Sequence, residues 1–406
     1  MTKPFLPYGK QEINDADIEA VVTALKSPYL TTGPKVGEFE RVFAEYLGVD
    51  HAIAVANGTA ALHLACMALD VKQGDTVLAP SISFAASANG AAYLGAEIEF
   101  ADCDPDTGLI TPQTFAEAAD RADAKGNAAK VAVVVHLNGE HADMAAIAAE
   151  AEKRGITLIE DACHALGTQF VDHEGQKVMV GSCRYSAIAV YSTHPVKTVT
   201  TGEGGVITTE NSDLAKRLEL LRNHGIERSP DNFLRQELGF DSNGKANPWY
   251  HEMQVLGFNY RLTDIACALG ISQMARMDQI ATRRRELKTR YDQMFAASNL
   301  PVKPIQTPEG VDPVRHLYPV LINYQELGIE RGDFCRGLHE IGIGSQVHYI
   351  PIHFQPIYQS RYGDLNMPGA EAYYVRVLSL PLYPTMEDGD VDRVVDGIGE
   401  VLKNLI

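Results

Sequence analysis

The sequence has few of the residues on which several classes of protein depend. It holds 6 cysteines and no C-x-x-C pair, so neither a disulfide framework nor a zinc site is indicated. Unpaired cysteines are typical of a reducing compartment, and we expect a cytoplasmic protein. The first residues lack the apolar segment of a signal peptide, and no run approaches ~18 consecutive apolar residues, so we expect no membrane partner.

Positive charge is also scarce. The chain carries 35 Lys and Arg residues against 53 Asp and Glu residues, which gives a formal net charge of −18 at pH 7. A nucleic-acid partner is therefore not expected, because contacts with a phosphate backbone need clusters of lysine and arginine. An anionic small ligand would have to be bound by local basic groups, since the field of the whole chain is repulsive.

What the sequence does have is an alternation of apolar strand-like runs with helical runs. This alternation predicts an α/β protein with a mixed, mostly parallel sheet flanked by helices on both faces. The expected strands are 52–56, 76–79, 131–136, 157–160 and 187–192, and the expected helices are one starting at Thr59 and those over 85–94 and 144–154.

The C-terminal part differs in pattern and predicts a smaller α/β domain. We expect a large domain over 1–260, and a linking helix with the smaller domain over 261–406. The expected elements there are a long helix over 265–295, a strand over 317–322 and helices over 331–341 and 388–405. The stretch 229–252, rich in Pro, Asn, Gly and Asp, is predicted to be a surface excursion.

Three short segments carry candidate chemistry, and the first contains Lys197. This lysine follows the strand-like run 187–192 and precedes a glycine-rich turn, as a lysine that forms an imine with an aldehyde cofactor could do. Such a lysine must lose its proton, so it needs partial burial or a cationic neighbour. Taken alone, a lysine is more often a solvated surface charge.

The second segment ends an apolar strand with Asp161 and His164. In pyridoxal phosphate enzymes an aspartate pairs with the pyridinium nitrogen and keeps it protonated, so that the ring can accept electrons. The alternative for Asp161 is a helix cap. The third segment, Asn57-Gly58-Thr59-Ala60, places a glycine at a helix start, where the amides of Thr59 and Ala60 could hold a phosphate; an ordinary N-cap is its alternative.

Together, these segments resemble the nucleotide-sugar aminotransferases of the DegT/DnrJ/EryC1/StrS family. The resemblance runs from about Pro7 to the C-terminus and is carried by the strings 57–62, 160–167, 192–205 and 257–264. It implies pyridoxal 5'-phosphate as cofactor, the type I aminotransferase fold and a homodimer with shared active sites. Within the family, the strings 181–186, 248–254, 315–320 and 347–353 resemble the subfamily that aminates C4 of UDP-linked 4-keto sugars in pseudaminic acid biosynthesis.

The resemblance also implies roles for individual residues around the cofactor. Lys197 would carry the imine and move the proton, and Asp161 would pair with the pyridine nitrogen. His164, where many relatives have glutamine, would lie near the phenolic oxygen. Phe84 would stack on the ring, unless it only fills the core. The phosphate would be held by Gly58, Thr59, Ala60 and Ser192, and by Asn259 of the neighbouring subunit.

On the substrate side, the resemblance implies that the sugar nucleotide is bordered by Tyr29, Thr31, Arg261, His348 and Tyr349. The segment 347–353 alternates as a strand would, which predicts that His348 and the even positions face one way. A metal site is disfavoured there, because Pro351 separates the two histidines at a spacing that suits neither a helix nor a strand.

The implied reaction transfers the amino group of L-glutamate to C4 of a UDP-linked 4-keto-6-deoxy N-acetyl hexose, forming UDP-4-amino-4,6-dideoxy-N-acetyl-β-L-altrosamine. A family variant that deoxygenates sugars has histidine in place of the lysine, so Lys197 favours transamination. A C3 or C4 aminotransferase for another keto sugar, linked to dTDP or GDP, is an alternative. A pyridoxal phosphate lyase or decarboxylase, and a ligand sensor without activity, are rivals of other classes.

We predict that Lys197→Ala removes the visible absorbance of the cofactor imine, because the alanine side chain has no amine to form it. The measurement is the absorbance spectrum of the purified variant after incubation with pyridoxal phosphate, followed by borohydride reduction. An imine that borohydride still reduces in the variant would move the nucleophile to another lysine.

Overall fold

The computed structural model describes residues 4–406, which form fifteen strands and fifteen α-helices. The strands are β1 His51–Val55, β2 Thr76–Pro80, β3 Glu97–Ala101, β4 Ala129–Val135, β5 Thr157–Asp161, β6 Gln169–Val171, β7 Lys177–Met179, β8 Ile188–Ser192, β9 Gly205–Thr209, β10 Ile226–Glu227, β11 Glu252–Met253, β12 Lys303–Pro304, β13 Val311–Asp312, β14 Tyr318–Leu321 and β15 Val377–Leu380.

The helices vary in length from one turn to six. They are α1 Asp15–Lys26, α2 Pro34–Leu47, α3 Gly58–Ala68, α4 Ala86–Ala92, α5 Pro112–Ala124, α6 Met144–Arg154, α7 Ser212–Arg222, α8 Gln236–Gly239, α9 Asp264–Met274, α10 Met277–Ala297, α11 Tyr324–Leu327, α12 Arg331–Glu340, α13 Pro356–Tyr362, α14 Pro368–Tyr374 and α15 Asp388–Leu405. Short 3₁₀ turns cover Leu137–Gly139, Pro230–Asn232 and Ile352–Phe354.

A seven-stranded sheet in the order β1-β9-β8-β5-β4-β2-β3 occupies the centre. Its pairs are parallel from β8 to β3, and β9 runs antiparallel to both of its neighbours, β1 and β8. The predicted mixed, mostly parallel sheet is therefore confirmed. Because β1, β2, β5 and β8 run in one direction, the segments that follow them emerge at the same edge of the sheet.

Helices cover both faces of this sheet, as the near-continuous apolar strands predict. Phe115 of α5 and Ile147 of α6 belong to the hydrophobic core that contains Val133 of β4. Phe43 of α2 packs edge-on against Tyr191 of β8, with the ring centroids 5.2 Å apart. Burial of apolar area on both faces at roughly 25 cal/mol per Å² is the main stabilising term for such a layer.

A second, smaller sheet of β12, β14 and β15 lies in the C-terminal part and packs against α10, α12 and α15. The N-terminal segment joins it, because the Leu6 side chain is part of this core and its amide donates to Gly342 O at 2.9 Å. In return, Tyr358 and Tyr373 pack into the core of the large sheet. No helix within residues 4–406 is long and apolar enough to cross a bilayer.

The helix predicted over 265–295 is wrong in one respect, since the structure has two helices there, α9 and α10. The break falls at Arg276, whose guanidinium reaches back to Glu12 and to Asp17 of α1. The predicted surface excursion over 229–252 is confirmed and contains only the one-turn helix α8, a 3₁₀ turn and the start of β11.

The contact between α1 and α9/α10 depends on Asp17, which is fully buried. One carboxylate oxygen, Oδ2, accepts hydrogen bonds from Arg276 Nη2 and Gln273 Nε2, both at 2.7 Å, and from the Asn14 amide at 3.1 Å. Burial would raise the pKa of Asp17, but hydrogen bonds from Ser272 and the Asn14 amide, with the charge and hydrogen bond of Arg276, lower it below its ordinary value of 3.8.

We predict that Asp17→Asn lowers the free energy of unfolding by about 3 kcal/mol at pH 7, because it removes the charge of a fully buried carboxylate that pairs with Arg276, while the other partner of this arginine, Glu12, is partly exposed. A depressed pKa stabilises the fold above its unfolded value, so the loss should be full at neutral pH and shrink as the pH falls below 3.8. Denaturant unfolding of the wild type and the variant at pH 7 and pH 3 measures the loss of stability and its decrease at low pH. The matched control is Glu45→Gln in the exposed Arg41–Glu45 pair, where we expect ~0.5 kcal/mol or less.

Candidate functional site

Asp161 is the last residue of β5, and its carboxylate is buried and held from two sides. The Ser87 hydroxyl on α4 donates to Oδ2 at 2.7 Å, and the Cys163 amide lies 3.2 Å from Oδ1. Ser83 in turn bonds to Ser87 at 2.7 Å. The carboxylate is therefore fixed in direction at the carboxyl edge of the sheet, where a ligand can meet it.

Lys197 lies in the loop between the antiparallel strands β8 and β9. The loop is closed at its base by Thr193 and Thr201, whose hydroxyls are 2.6 Å apart and whose backbones are also bonded. A Cβ added to Gly204 would lie 2.3 Å from the Thr193 hydroxyl oxygen, so only glycine fits beside this pair. Inside the loop, the Lys197 amide donates to His194 O at 2.8 Å.

The surroundings of Lys197 favour the neutral amine that an imine-forming lysine needs. Removal from water lowers the pKa of Lys197 below its ordinary value, against the opposing effect of Cys163 and Asp161. The pairing of Asp161 with Val190 of β8 places the aspartate and the loop that carries Lys197 at one edge of the sheet.

At the start of α3, the structure refines the predicted anion site. The Ala60 amide, expected to be free, instead donates to the Asn57 side chain at 2.8 Å, because Asn57 caps the helix. The amides of Gly58 and Thr59 donate to no group within residues 4–406. A Cβ on Gly58 would lie 3.0 Å from Ser192 Cβ, so the glycine keeps open the space that Ser192 borders.

Phe84 lies in the turn between β2 and α4, and 59% of its surface is exposed. This exposure excludes a core-filling role and leaves the ring face free for a planar ligand. Its nearest aromatic neighbour is Tyr349, with ring centroids 6.1 Å apart and planes tilted by 57°. The two rings bring the segment after β2 together with the segment 347–351 of the C-terminal part.

His164 lies behind Tyr349 and is buried. Its Nδ1 accepts a hydrogen bond from the Asn138 amide at 3.2 Å, and its Nε2 lies 3.1 Å from the Tyr349 hydroxyl. Its ring packs 4.1 Å from that of His316. Burial, followed by the charges of Lys197 and His348, holds the pKa of His164 well below its ordinary value, so the ring stays neutral.

The prediction of a strand over 347–353 is wrong. The backbone there is irregular and passes into the 3₁₀ turn Ile352–Phe354, because the Ile352 amide is captured by Ser81 O at 2.8 Å. His348 is buried, and its Nδ1 bonds to the Ser379 hydroxyl at 2.9 Å. Burial and the Lys197 charge lower the pKa of His348 to about 3. Its contacts anchor the loop, whereas Tyr349 is only half-buried.

The remaining predicted residues form a separate group beside the open side of β1. Arg261 pairs with Val55 of β1, and Thr31 pairs with Thr263. Asn259 is exposed and pairs with Asn223, which also accepts a hydrogen bond from Arg261 Nη1 at 2.7 Å. Tyr29 is exposed by 54%. Within one chain, Arg261 lines a cleft of about 1340 Å³ together with Arg228, whereas Lys197 does not line it.

Several residues of the site carry no signal that sequence reasoning used. Ser87 was one of three serines in an apolar run, a pattern that could have indicated a buried hydrogen-bond network. His316 and Cys163 lie in the strings 315–320 and 160–167 without a predicted role of their own, and Asn138 lies in none of the strings. The positions of His316 and Asn138 beside His164 depend on contacts between residues far apart in the chain, whereas Cys163 is two residues from Asp161.

The groups at this edge fit the pyridoxal phosphate that the sequence implies. They offer a fixed carboxylate for a ring nitrogen, a lysine with a lowered pKa for the aldehyde, two unpaired amides at a helix start for the phosphate and an exposed ring face. The fit rests on the chemistry of these side chains and amides.

Comparisons with known proteins agree with this assignment of chemistry. Residues 11–399 match the DegT/DnrJ/EryC1/StrS aminotransferase family. The spore coat polysaccharide biosynthesis protein SpsC of Bacillus subtilis (strain 168) is 35% identical over 402 residues, which covers 98% of this chain and 97% of SpsC.

Solved structures of sugar aminotransferases superpose along nearly the whole chain. The putative sugar aminotransferase Spr1654 of Streptococcus pneumoniae, in its PLP-form, is 26% identical with a TM-score of 0.85, and covers 99% of this chain and 100% of its own. Helicobacter pylori PseC, an aminotransferase of pseudaminic acid biosynthesis, is 25% identical with a TM-score of 0.87, over 99% and 100% of the two chains. The expected aminotransferase fold is confirmed.

Proposed function

Because the chain belongs to the DegT/DnrJ/EryC1/StrS aminotransferase family, we propose that it transfers the amino group of L-glutamate to C4 of a UDP-linked 4-keto-6-deoxy N-acetyl hexose. Pyridoxal 5'-phosphate is its cofactor. The observation that carries the proposal is the meeting of Asp161 and Lys197 at one sheet edge, beside the free amides of Gly58 and Thr59. The similarity to PseC supports the choice of sugar.

When bound, the cofactor supplies an aldehyde for the donor amine and a ring that accepts the electrons released at the donor carbon. The Asp161 carboxylate, oriented by Ser87, stabilises a protonated ring nitrogen. The Lys197 amine, whose pKa is lowered by burial, would take the proton from Cα of the donor and deliver it to the aldehyde carbon of the cofactor within one half reaction, and it would move the proton along the reverse path in the other. Phe84 covers the ring face, and Gly58, Thr59 and Ser192 hold the phosphate.

The sugar nucleotide needs positive groups that the net charge of −18 does not provide. Arg228 supports this part of the proposal, because its exposed guanidinium forms no ion pair within residues 4–406. Arg261 lines the same cleft, and its Nε is buried without a hydrogen-bond partner in that part of the chain. We assign the diphosphate to this cleft, whose lining includes Thr32, the residue after Thr31, and we propose that Tyr29 and Thr31 contact the sugar nucleotide.

Because that cleft and Lys197 do not border each other within one chain, we propose that two chains build each site. Large apolar side chains are exposed on the segment 234–258, a surface that a monomer rarely leaves uncovered. They are Leu234, Trp249, Met253 and Leu256, with 63% to 80% of each residue exposed. A homodimer that covers this segment would carry Asn259 and Arg261 to the cofactor of the partner.

We also propose a cytoplasmic location. All six cysteines are free thiols and four of them are buried, which supports a protein that folds in a reducing compartment.

We predict that the purified enzyme, with L-glutamate, aminates the UDP-linked keto sugar at C4 and turns over dTDP- and GDP-linked 4-keto-6-deoxy sugars more slowly. Mass spectrometry and NMR of the product identify the carbon and the configuration. A preference for a dTDP or GDP sugar, or amination at C3, would contradict the proposed substrate but leave the proposed aminotransferase reaction in place. Action on amino acids alone, with no binding of a UDP sugar, would instead identify a lyase or decarboxylase.

We predict that Lys197→Ala and Asn259→Ala, each inactive or strongly impaired alone, restore activity when the two variants are mixed or coexpressed. In a shared site, the mixed dimer holds one site with an intact Lys197 and an intact Asn259 of the other chain. Random pairing then gives about a quarter of the wild-type activity, since half of the dimers are mixed and each has one whole site. No recovery would place Asn259 in the site of its own chain. Coexpression of Lys197→Ala with Asp161→Asn is the control, because both residues belong to one chain and no whole site forms.

A further inference from the structure

The loop 27–33, which joins α1 to α2, is not held in place by packing. Every residue from Ser27 to Thr32 is exposed, and yet the backbone of the loop is tightly folded. Thr32 has a positive φ of 56°, a left-handed conformation that a β-branched residue rarely adopts. Strain of this kind persists only where other contacts fix the backbone, so the loop depends on bonds from another part of the chain.

Asp264, the first residue of α9, supplies those bonds. Its carboxylate is buried; Oδ2 accepts a hydrogen bond from the Gly33 amide at 2.8 Å, and Oδ1 accepts one from the Lys35 amide at 3.0 Å. The amide of Asp264 donates to Leu30 O at 3.1 Å. A single residue therefore bonds the backbone of the loop and of the helix start that follows it at three positions.

The position of the Asp264 carboxylate also explains why its charge tolerates burial. Gly33 is the N-cap residue of α2 and makes no side-chain capping bond, so Asp264 caps α2 from a distant part of the chain. Asp264 lies in the first turn of α9 as well. A negative charge near the starts of two helices is favourable, which offsets the cost of removing the carboxylate from water.

The segment that leads into Asp264 is fixed without the help of the loop. The Phe258 amide donates to Leu221 O at 2.8 Å, and Tyr260 O accepts a hydrogen bond from the Ala56 amide at 2.8 Å. These bonds join the segment to α7 and to the end of β1. Asp264 is therefore a fixed point to which the exposed loop is tied.

The loop and this segment border the same cleft. Thr32 and Gly33 of the loop line it together with Arg228 and with Arg261, which lies three residues before Asp264. The bonds made by Asp264 therefore decide where the loop stands relative to the arginines to which the diphosphate is assigned.

We propose that Asp264 is a positioning residue for the sugar nucleotide, which ties the loop 27–33 to the segment that carries Arg261, so that both border the diphosphate as one unit. This inference rests on the proposed function and deepens it, because it gives Asp264 a role in the affinity for the sugar nucleotide. The reaction with L-glutamate does not depend on Asp264, since the segment before it keeps its own bonds when the loop is released.

The experiment compares the two half reactions of the holoenzyme in Asp264→Asn. Asparagine offers one oxygen to the loop and turns a donor toward the second amide, so the loop spends less time in the conformation that binds. We expect the KM for the sugar nucleotide to rise on the order of tenfold, with kcat changed by no more than about twofold. The half reaction with L-glutamate, followed by the visible absorbance of the cofactor, should stay within about twofold of the wild-type rate.

Gly33→Ala disturbs the same contact from the side of the loop, because the added Cβ would lie 2.6 Å from Asp264 Oδ1. It should raise the KM in the same way and leave the reaction with L-glutamate unchanged. The double variant should raise the KM by less than the product of the two single effects, because both substitutions act on one contact. A full product would show that Asp264 acts on the sugar nucleotide by another route, and would overturn the proposal.

Asp102→Asn is the matched control. The Asp102 carboxylate likewise accepts hydrogen bonds from two amides at the start of a distant helix, those of Gly369 at 2.9 Å and Ala370 at 2.8 Å in α14, but Asp102 does not line the cleft. It should destabilise the fold without raising the KM for the sugar nucleotide. A wild-type KM in Asp264→Asn, or an equal loss in both half reactions, would overturn the role of Asp264.

A measurement on the wild type needs no variant and no turnover. In hydrogen exchange followed by mass spectrometry, UDP alone should slow the exchange of the peptide that covers 27–35 and of the peptide that contains Arg261 together, since the two border one ligand as a unit. Slower exchange in only one of the two peptides would contradict the proposal.

Failure of the proposed function gives a different result. A wild-type enzyme that aminates no nucleotide sugar would refute the function itself. A wild-type enzyme that does so, with the same KM in Asp264→Asn, would refute only the role of Asp264. If the wild type prefers a dTDP or GDP sugar, the KM is measured with that sugar, and the ligand of the exchange experiment is dTDP or GDP.

Discussion

The parallel pairing of β5 with β8 is the constraint on which the candidate site depends. It sets Asp161 beside Val190, two residues before β8 ends and seven before Lys197. The loop that carries Lys197 returns as the antiparallel strand β9 and is closed by the Thr193–Thr201 pair. An acid and an amine are thus held near each other by strand register, which is far stiffer than any contact between their side chains.

Around this pair the site is built by removing water and leaving selected groups unpaired. Burial lowers the pKa of Lys197 and of His164, while Ser87 fixes the Asp161 carboxylate. The amides at the start of α3 and the face of Phe84 are left without partners in the described chain. Each unpaired group has a cost in the free protein, which a ligand that pairs with it can recover.

The sequence predicted the chemistry along the chain better than the path of the backbone. The strands that carry the site and the start of α3 were found from local patterns, because apolar runs and cap residues leave a signal within a few positions. The segment 347–353 was misjudged as a strand. Its conformation is set by hydrogen bonds to Ser81 and Ser379, which lie in distant parts of the sequence. The break before α10 was missed for the same reason. It falls at Arg276, whose guanidinium bonds to Asp17, a residue near the other end of the sequence.

By itself, the sequence determined the order of the elements that bring Asp161 and Lys197 to one edge of the sheet, because this order depends on local composition and on the rule that parallel strands share one edge. The tertiary structure alone decided that His164 turns toward Tyr349, and that Asn259 and Arg261 lie apart from Lys197 within one chain. Those outcomes depend on hydrogen bonds and packing between distant segments, for which the linear pattern carries no signal.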